Sequence, residues 1–198
     1  MKKFNKRDQP LYPIIIIHKK RKVTPTTKEP TAAQLEQRVK FNVATKFHAH
    51  AKEMLPVIIC KKKSVDYKTR FTRMIHHCGF TGSYPDYEVD YSQLQLTTGN
   101  LSELFKSVSR DSSGVVTINW EYERWMGGAD DTVNLFVYNS TAKRSYVFSK
   151  IALRHQEEMS VEIPGSDHDD VLNVWAFFKS PDHKYVSRSR YFRLERLD

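Results

Sequence analysis

The stretch Val116-Thr117-Ile118-Asn119-Trp120-Glu121 decides the fold. Apolar and polar side chains alternate along it up to the large aromatic Trp120, which is typical of a β-strand with one buried face. Similar short segments lie before and after it, separated by turn sequences such as Asp111-Ser112-Ser113-Gly114 and Pro164-Gly165-Ser166. Closely spaced short strands of this kind predict an antiparallel β-sandwich over residues 84–198. The other predicted strands are residues 87–91, 94–96, 101–108, 132–138, 146–153, 159–163, 171–179 and 185–194.

Aromatic side chains are expected to form much of the core of this sandwich. Trp120, Tyr138, Trp175 and Phe177 fall at inward-facing positions of predicted strands. A further group of tyrosines lies where a preceding helical region meets the sandwich, and we expect it to pack the helices against the sheet. These residues are Tyr84, Tyr87 and Tyr91.

Residues 31–83 are predicted to form a helical hairpin. Thr31 and Gln34 have the spacing of a capping box, and Pro30 precedes them. The apolar residues that follow recur mostly every four positions, as on the buried face of a helix, and Pro56 ends the pattern. The predicted buried stripe is Leu35, Val39, Val43, Phe47 and Ala51, followed by Met54 or Leu55. The residues predicted to face outward are Arg38, Lys40, Lys46 and Lys52.

A second helix is predicted between Ser64, which can cap it, and Gly79, which ends it. It would turn Tyr67, Phe71 and Cys78 inward, together with Met74 or Ile75. The fold class expected for the whole chain is therefore α+β, with an extended N-terminal arm, a helical hairpin and an immunoglobulin-like sandwich.

The arm, residues 1–30, contains four prolines and is expected to be extended rather than helical. Ile14-Ile15-Ile16-Ile17 is a strand signal within it, because β-branched residues favour strands. An exposed strand of this composition needs an edge to pair with. We expect Ile14, Ile15, Ile16 and Ile17 to add to a sheet, either that of their own chain or that of a neighbour.

Charge is distributed unevenly along the chain, whose formal net charge is +9. Residues 1–30 carry nine basic and two acidic side chains, residues 31–78 carry ten and three, and residues 79–198 carry thirteen and eighteen. A basic first part suggests a polyanion or an acidic protein surface as its partner, although charge runs are also ordinary solvated surface. The candidate docking residues are Lys19, Lys20, Arg21, Lys22, Lys61, Lys62 and Lys63.

The sequence carries no pattern that predicts catalysis or a cofactor. Gly-x-Ser-x-Gly, Gly-x-Gly-x-x-Gly and P-loop motifs are missing from it, and Cys60 and Cys78 form no Cys-x-x-Cys pair. The acidic run Asp167-His168-Asp169-Asp170 lies in a predicted loop and lacks the spacing of an EF-hand. We therefore expect no enzyme, no cofactor and no metal, with Asp167, Asp169 and Asp170 as weak candidates for Ca²⁺.

Residues 1–18 resemble a signal peptide in having a basic start and an apolar stretch, Leu11 to Ile17. The stretch is short, contains Pro13 and runs directly into basic residues rather than a small-residue cleavage site. No apolar run reaches the roughly 18–20 residues of a membrane span. We expect an uncleaved protein that is cytoplasmic or assembled into a particle.

Two resemblances can be drawn from these motifs. From about Leu101 the chain is similar to fibronectin type III and other immunoglobulin-like sandwiches. Most of the chain resembles a family of small uncharacterised bacterial proteins, found mainly in Bacteroidetes and known as a domain of unknown function. The family is usually Gly-rich before its helix, where this chain is rich in Lys and Ile, and the resemblance implies a fold but no activity. The stretches that carry it are residues 30–41, 82–91, 98–101, 130–131 and 137–139.

The expected function is that of a non-enzymatic structural or interaction protein in a larger assembly, which docks through its basic arm and helices. A non-specific nucleic-acid-binding protein that uses the basic N-terminal half is the alternative. A third possibility is a sandwich that binds a ligand through the loops at residues 127–131 and 167–170.

Overall fold

The structure is a computed structural model, and it describes residues 29–52, 67–126 and 128–195. Two helices precede nine strands, so the α+β class and the sandwich are confirmed. Helix α1 spans Ala32–Ala51 and helix α2 spans Tyr67–Cys78. The strands are β1 Phe80–Ser83, β2 Asp86–Val89, β3 Phe105–Arg110, β4 Val115–Trp120, β5 Thr132–Asn139, β6 Arg144–Leu153, β7 Glu158–Glu162, β8 Leu172–Lys179 and β9 Arg190–Leu194. The Ile14–Ile17 strand and the Lys19–Lys22 and Lys61–Lys63 clusters lie outside the described residues.

All the sheets are antiparallel, as predicted. Strands β3, β4 and β7 form one sheet in the order β3-β4-β7, and the other sheet has the order β6-β5-β8-β9. Strands β1 and β2 form a separate hairpin directly after α2. The domain boundary expected at residue 83 therefore falls inside this hairpin.

The four-stranded sheet is covered on both faces, so the described part of residues 32–195 has three layers. Val137 and Val174 face one way and pack with Ile118 and Trp120 of the three-stranded sheet. Alternate residues of the same strands face the helices, where Phe47 and Phe71 lie. Strands buried on both sides read as continuous apolar runs, which accounts for the sequence of β8. The β5 and β8 side chains on the helix side are Phe136, Tyr138, Trp175 and Phe177.

The predicted helix stripe is buried in its second half, whereas Leu35, Val39 and Val43 are half-buried. Phe47 and Ala51 of α1 are buried, and so are Phe71 and Ile75 of α2. Phe47 lies at the centre, with its ring centroid 5.1 Å from that of Tyr138 and 5.9 Å from that of Phe71. Aromatic contacts of this kind add about 0.5–1.5 kcal/mol each to the area that they bury.

Two expectations about the junction are wrong. Leu94-Gln95-Leu96 is not a strand, because its backbone meets side chains rather than a ladder: the amide of Leu96 donates to Ser189 Oγ at 2.9 Å, and Trp175 Nε1 donates to the carbonyl of Leu94 at 2.8 Å. Tyr84 does not pack against the sheet, because it lies in the turn between β1 and β2 and is 52% exposed. Tyr91 does pack there, against Phe47, Tyr138 and Trp175.

Candidate functional site

The outer face of the helices carries exposed cations. Arg38 and Lys46 of α1, Lys52 directly after it and Arg73 of α2 are all exposed. Arg38 lies on the side of α1 opposite Phe47, at helical spacing, and so points away from the sheet. We call these four cations the basic helix face. Three of the four residues predicted to face outward are therefore exposed, and Lys40 is the exception.

Lys40 is turned toward the hairpin instead of outward. Its Nζ lies 2.6 Å from Glu36 Oε1 and 4.6 Å from the centre of the Tyr87 ring, and the Tyr87 hydroxyl donates to the same Glu36 oxygen at 2.7 Å. The hydrogen bonds from Lys40 and Tyr87 lower the pKa of Glu36, and the bond to Glu36 raises the pKa of Tyr87. The prediction for Lys40 is wrong because α1 has a carboxylate one turn earlier that ties it to β2.

An exposed aromatic ring accompanies the basic helix face. Phe41 is 53% exposed, one turn after Arg38, and its ring is nearly parallel to that of His76 with a centroid distance of 6.3 Å. Phe41 is not among the residues predicted above, although its position off the apolar stripe of α1 is a sequence signal that could have identified it.

The acidic loop after β7 is held by an arginine. Arg110 Nη2 donates to the carbonyl of Asp167 at 2.6 Å, and Arg110 Nη1 donates to the carbonyls of His168 and Asp170 at 3.2 Å. The backbone carbonyls that would be available to Ca²⁺ therefore face a guanidinium, which repels a cation. Arg110 is a second residue that the sequence analysis missed.

The three weak Ca²⁺ candidates do not act together. Asp170 is buried, and its Oδ2 accepts hydrogen bonds from Asn139 Nδ2 at 2.7 Å and from the amide of Asp167 at 2.9 Å. Asp167 and Asp169 are exposed. Among residues 29–52, 67–126 and 128–195, no three His, Cys, Asp or Glu side chains lie together in a way that could hold a metal ion.

A buried ion pair lies at the other loop that the sequence singled out. Arg154 Nε is 3.5 Å from Asp131 Oδ2, and both side chains are 4% exposed. Arg154 Nη2 also donates to the carbonyl of Ser102 at 2.6 Å, and the Arg154 carbonyl accepts from Trp120 Nε1 at 2.6 Å. Burial raises the pKa of Asp131 and lowers that of Arg154. These contacts connect Arg154 to three other chain segments, so the pair has a structural role and offers no accessible reactive group.

A groove of about 230 Å³ lies between the β1–β2 hairpin and the edge of the four-stranded sheet. Asn173, Tyr91 and Tyr191 line it, and they are buried or half-buried. Asn173 could have been noticed in the sequence, because it is a polar residue in the apolar run that forms β8.

Neither described helix is long and apolar enough to cross a membrane. The comparison of the chain with known families gives one result: a model described as a family of unknown function, DUF6266, matches residues 16–193. The match covers the Lys19–Lys22 and Lys61–Lys63 clusters, both described helices, strands β1 to β8 and all of β9 except Leu194. The comparison with curated proteins found no match.

Proposed function

The chain belongs to the DUF6266 family, and we propose that it is a non-enzymatic structural protein that docks into a larger assembly through its basic arm and its helices. The observation that carries this proposal is the basic helix face, where Arg38 and Lys46 of α1 and Lys52 directly after it are exposed. In residues 32–52 and 67–78 Glu36 is the only carboxylate, and it is bonded to Lys40 and Tyr87. The field of this face is therefore positive and attracts an acidic surface.

The acidic partner that charge complementarity favours is the sandwich of a second copy. Residues 79–198 carry thirteen basic and eighteen acidic side chains. Glu158 and Glu162 are exposed on β7, a strand of the sheet on the side of the molecule away from the helices. A contact between opposite sides of the same molecule is heterologous, so repetition builds a ring or an open filament.

Phe41 supports a protein partner at the basic helix face. Interfaces are enriched in aromatic and arginine residues near their centres, surrounded by contacts that exclude water. Phe41 and Arg38 are one helical turn apart and both exposed.

Light scattering coupled to size-exclusion chromatography, at low and high salt after nuclease treatment, tests the proposal. We expect oligomers at low salt that the double variant Arg38→Glu/Lys46→Glu no longer forms. Arg124→Glu/Lys150→Glu makes the same change in net charge at exposed cations of the sandwich and should still assemble. A monomer under all conditions would overturn the self-assembly proposal.

A charge-swap experiment identifies the surface that the helices meet. Glu158→Lys/Glu162→Lys should also prevent assembly, because it removes the acidic side of the contact. Combining both changes in one chain, so that no wild-type pair of surfaces remains, should restore assembly through the two reversed surfaces. Oligomers of the wild-type protein without this rescue would place the contact elsewhere.

The alternative is a non-specific nucleic-acid-binding protein that uses the same basic half of the chain. One observation favours it: Phe41 is an exposed ring beside cations, and single strands bind to such surfaces by stacking and phosphate contacts. Nucleic acid that copurifies with the wild type, and that salt and Arg38→Glu/Lys46→Glu both remove, would support this alternative.

We also propose that β3 to β9 correspond, in chain order, to the A, B, C, C′, E, F and G strands of a fibronectin type III-like domain. The order β3-β4-β7 in one sheet and β6-β5-β8-β9 in the other supports this correspondence. The assignment to Bacteroidetes is proposed on the family resemblance alone.

A further inference from the structure

We propose that the groove between the β1–β2 hairpin and the four-stranded sheet binds a small neutral polyhydroxylated ligand, such as a single sugar unit. This site is separate from the basic helix face and does not depend on the function proposed above. Its volume of about 230 Å³ is many times the roughly 10–15 Å³ that a cavity needs to hold one water molecule, which is enough for one sugar ring.

The wall and floor of the groove combine aromatic rings with fixed polar atoms. Tyr91 and Tyr191 are half-buried, and Asn173 beside them is 1% exposed. The hydroxyl of Tyr191 donates to Asn173 Oδ1 at 2.8 Å, while Asn173 Nδ2 donates to the carbonyl of Tyr138 at 3.3 Å. Both ends of the Asn173 amide are thus committed within the protein. The Tyr191 oxygen is held with its proton toward Asn173, so its lone pairs can accept a hydrogen bond from a ligand.

The rim carries charges of both signs. Glu88 and Asp90 come from the hairpin and the turn after it, and Lys143 and Arg193 come from the β5–β6 turn and from β9. Asp90 Oδ1 already accepts from the amide and the hydroxyl of Ser92, and Arg193 is paired with Glu195. The rim charges are therefore balanced in number and partly neutralised by the protein itself.

This balance disfavours ligands that carry a net charge and ligands that are wholly apolar. Two carboxylates repel a phosphate or another anion, and two cations repel a metal ion. An apolar ligand would cover the Asp90, Lys143 and Arg193 side chains without replacing the hydrogen bonds they make to water, which costs free energy. A neutral polyol avoids these penalties, because each of its hydroxyls can donate to a carboxylate and accept from an ammonium or guanidinium group. Its C–H face can also pack against a tyrosine ring.

Amide chemical-shift changes in ¹⁵N–¹H correlation spectra of the full chain test the proposal. The probes are the methyl glycosides of glucose, galactose, mannose and N-acetylglucosamine, with glycylglycine and inorganic phosphate as zwitterionic and anionic comparisons. We expect at least one glycoside to give saturable shifts confined to residues 88–92, 140–143, 171–173 and 191–193. Saturable binding of glycylglycine or phosphate with no response to the glycosides would overturn the proposal, and so would no response to any probe at tens of millimolar.

Matched variants separate binding from folding. Tyr191→Phe removes the hydroxyl and keeps the ring, and it should weaken glycoside binding about five- to tenfold, the effect of one lost hydrogen bond. Tyr146→Phe is the control, because the Tyr146 hydroxyl donates to the Pro164 carbonyl and lies outside the groove. Glu88→Gln removes one rim charge at an exposed position and keeps the shape of the side chain, and it should also weaken binding. Unchanged affinity in both Tyr191→Phe and Glu88→Gln would place the ligand elsewhere and overturn the assignment.

Discussion

The guanidinium carbon of Arg154 lies 4.0 Å from the centre of the Phe178 ring, inside the end of the sandwich. Phe178 in turn stacks on Phe105 with a centroid distance of 4.5 Å. The cation thus contacts both an aromatic ring and the carboxylate of Asp131, and the backbone carbonyl of Arg154 accepts from Trp120 of β4. The buried guanidinium needs the Asp131 carboxylate as its partner, because a buried unpaired charge strongly destabilises the folded state.

We therefore predict that Asp131→Ala lowers the free energy of unfolding by about 3–5 kcal/mol, the usual cost of leaving one member of a buried pair alone. Urea denaturation of the variant and the wild type measures this loss of stability. Glu121→Gln is the matched control, since it breaks the exposed pair between Lys106 and Glu121 and should cost at most about 1 kcal/mol. Equal losses in the two variants would show that Arg154 is solvated in solution.

A second prediction compares two phenylalanines of α1. Phe47→Ala should destabilise the protein by about 3–5 kcal/mol, because Phe47 is 3% exposed and contacts the rings of Phe71, Tyr91 and Tyr138. Phe41→Ala should change stability by no more than about 0.5 kcal/mol, since Phe41 is 53% exposed.

The same two variants should behave in the opposite way in the light-scattering experiment. Phe41→Ala is expected to weaken assembly while leaving the melting temperature almost unchanged. If Phe41→Ala melted as early as Phe47→Ala, the Phe41 ring would be part of the core rather than of a docking surface.

Local patterns predicted the strands and helices well and their layers less well. The alternation of apolar and polar residues predicted β4, and apolar residues at four-residue spacing predicted α1, because each element has one buried face. The burial of β5 and β8 on both faces depends on where α1 and α2 pack, which no local pattern encodes.

The groove could not be predicted from the sequence for a similar reason. Tyr91, Asn173 and Tyr191 are distant in the chain and meet only because the hairpin after α2 lies against β8 and β9. Leu94-Gln95-Leu96 alternates like a strand, but its amides are used by Ser189, so tertiary contacts overrode the local preference.

A third prediction concerns Gly99, in the turn before β3. A Cβ at this position would lie 1.9 Å from the backbone carbonyl oxygen of Val186. Since the Leu101 amide donates to the same oxygen at 3.2 Å, neither segment can move away without loss. Gly99→Ala should therefore cost about 3 kcal/mol or more in chemical denaturation. Thr98→Ala, at the exposed neighbouring position, should cost little, and comparable losses would contradict the close approach.

The last prediction is a titration of Asp182, in the turn between β8 and β9. The Ser180 hydroxyl donates to Asp182 Oδ1 at 2.6 Å and the amide of Lys184 donates to the same oxygen at 3.1 Å, which lowers the pKa of Asp182 to about 2. Because the folded value lies below the ordinary value of 3.8, ionised Asp182 favours the folded state above about pH 4, and that contribution is lost as the pH falls toward 2. The carboxyl ¹³C chemical shift of Asp182, measured as a function of pH, gives this pKa. Ser180→Ala should raise the pKa of Asp182 more than Lys184→Met does, since the hydroxyl is the larger cause, and the reverse order would assign the shift to the lysine charge.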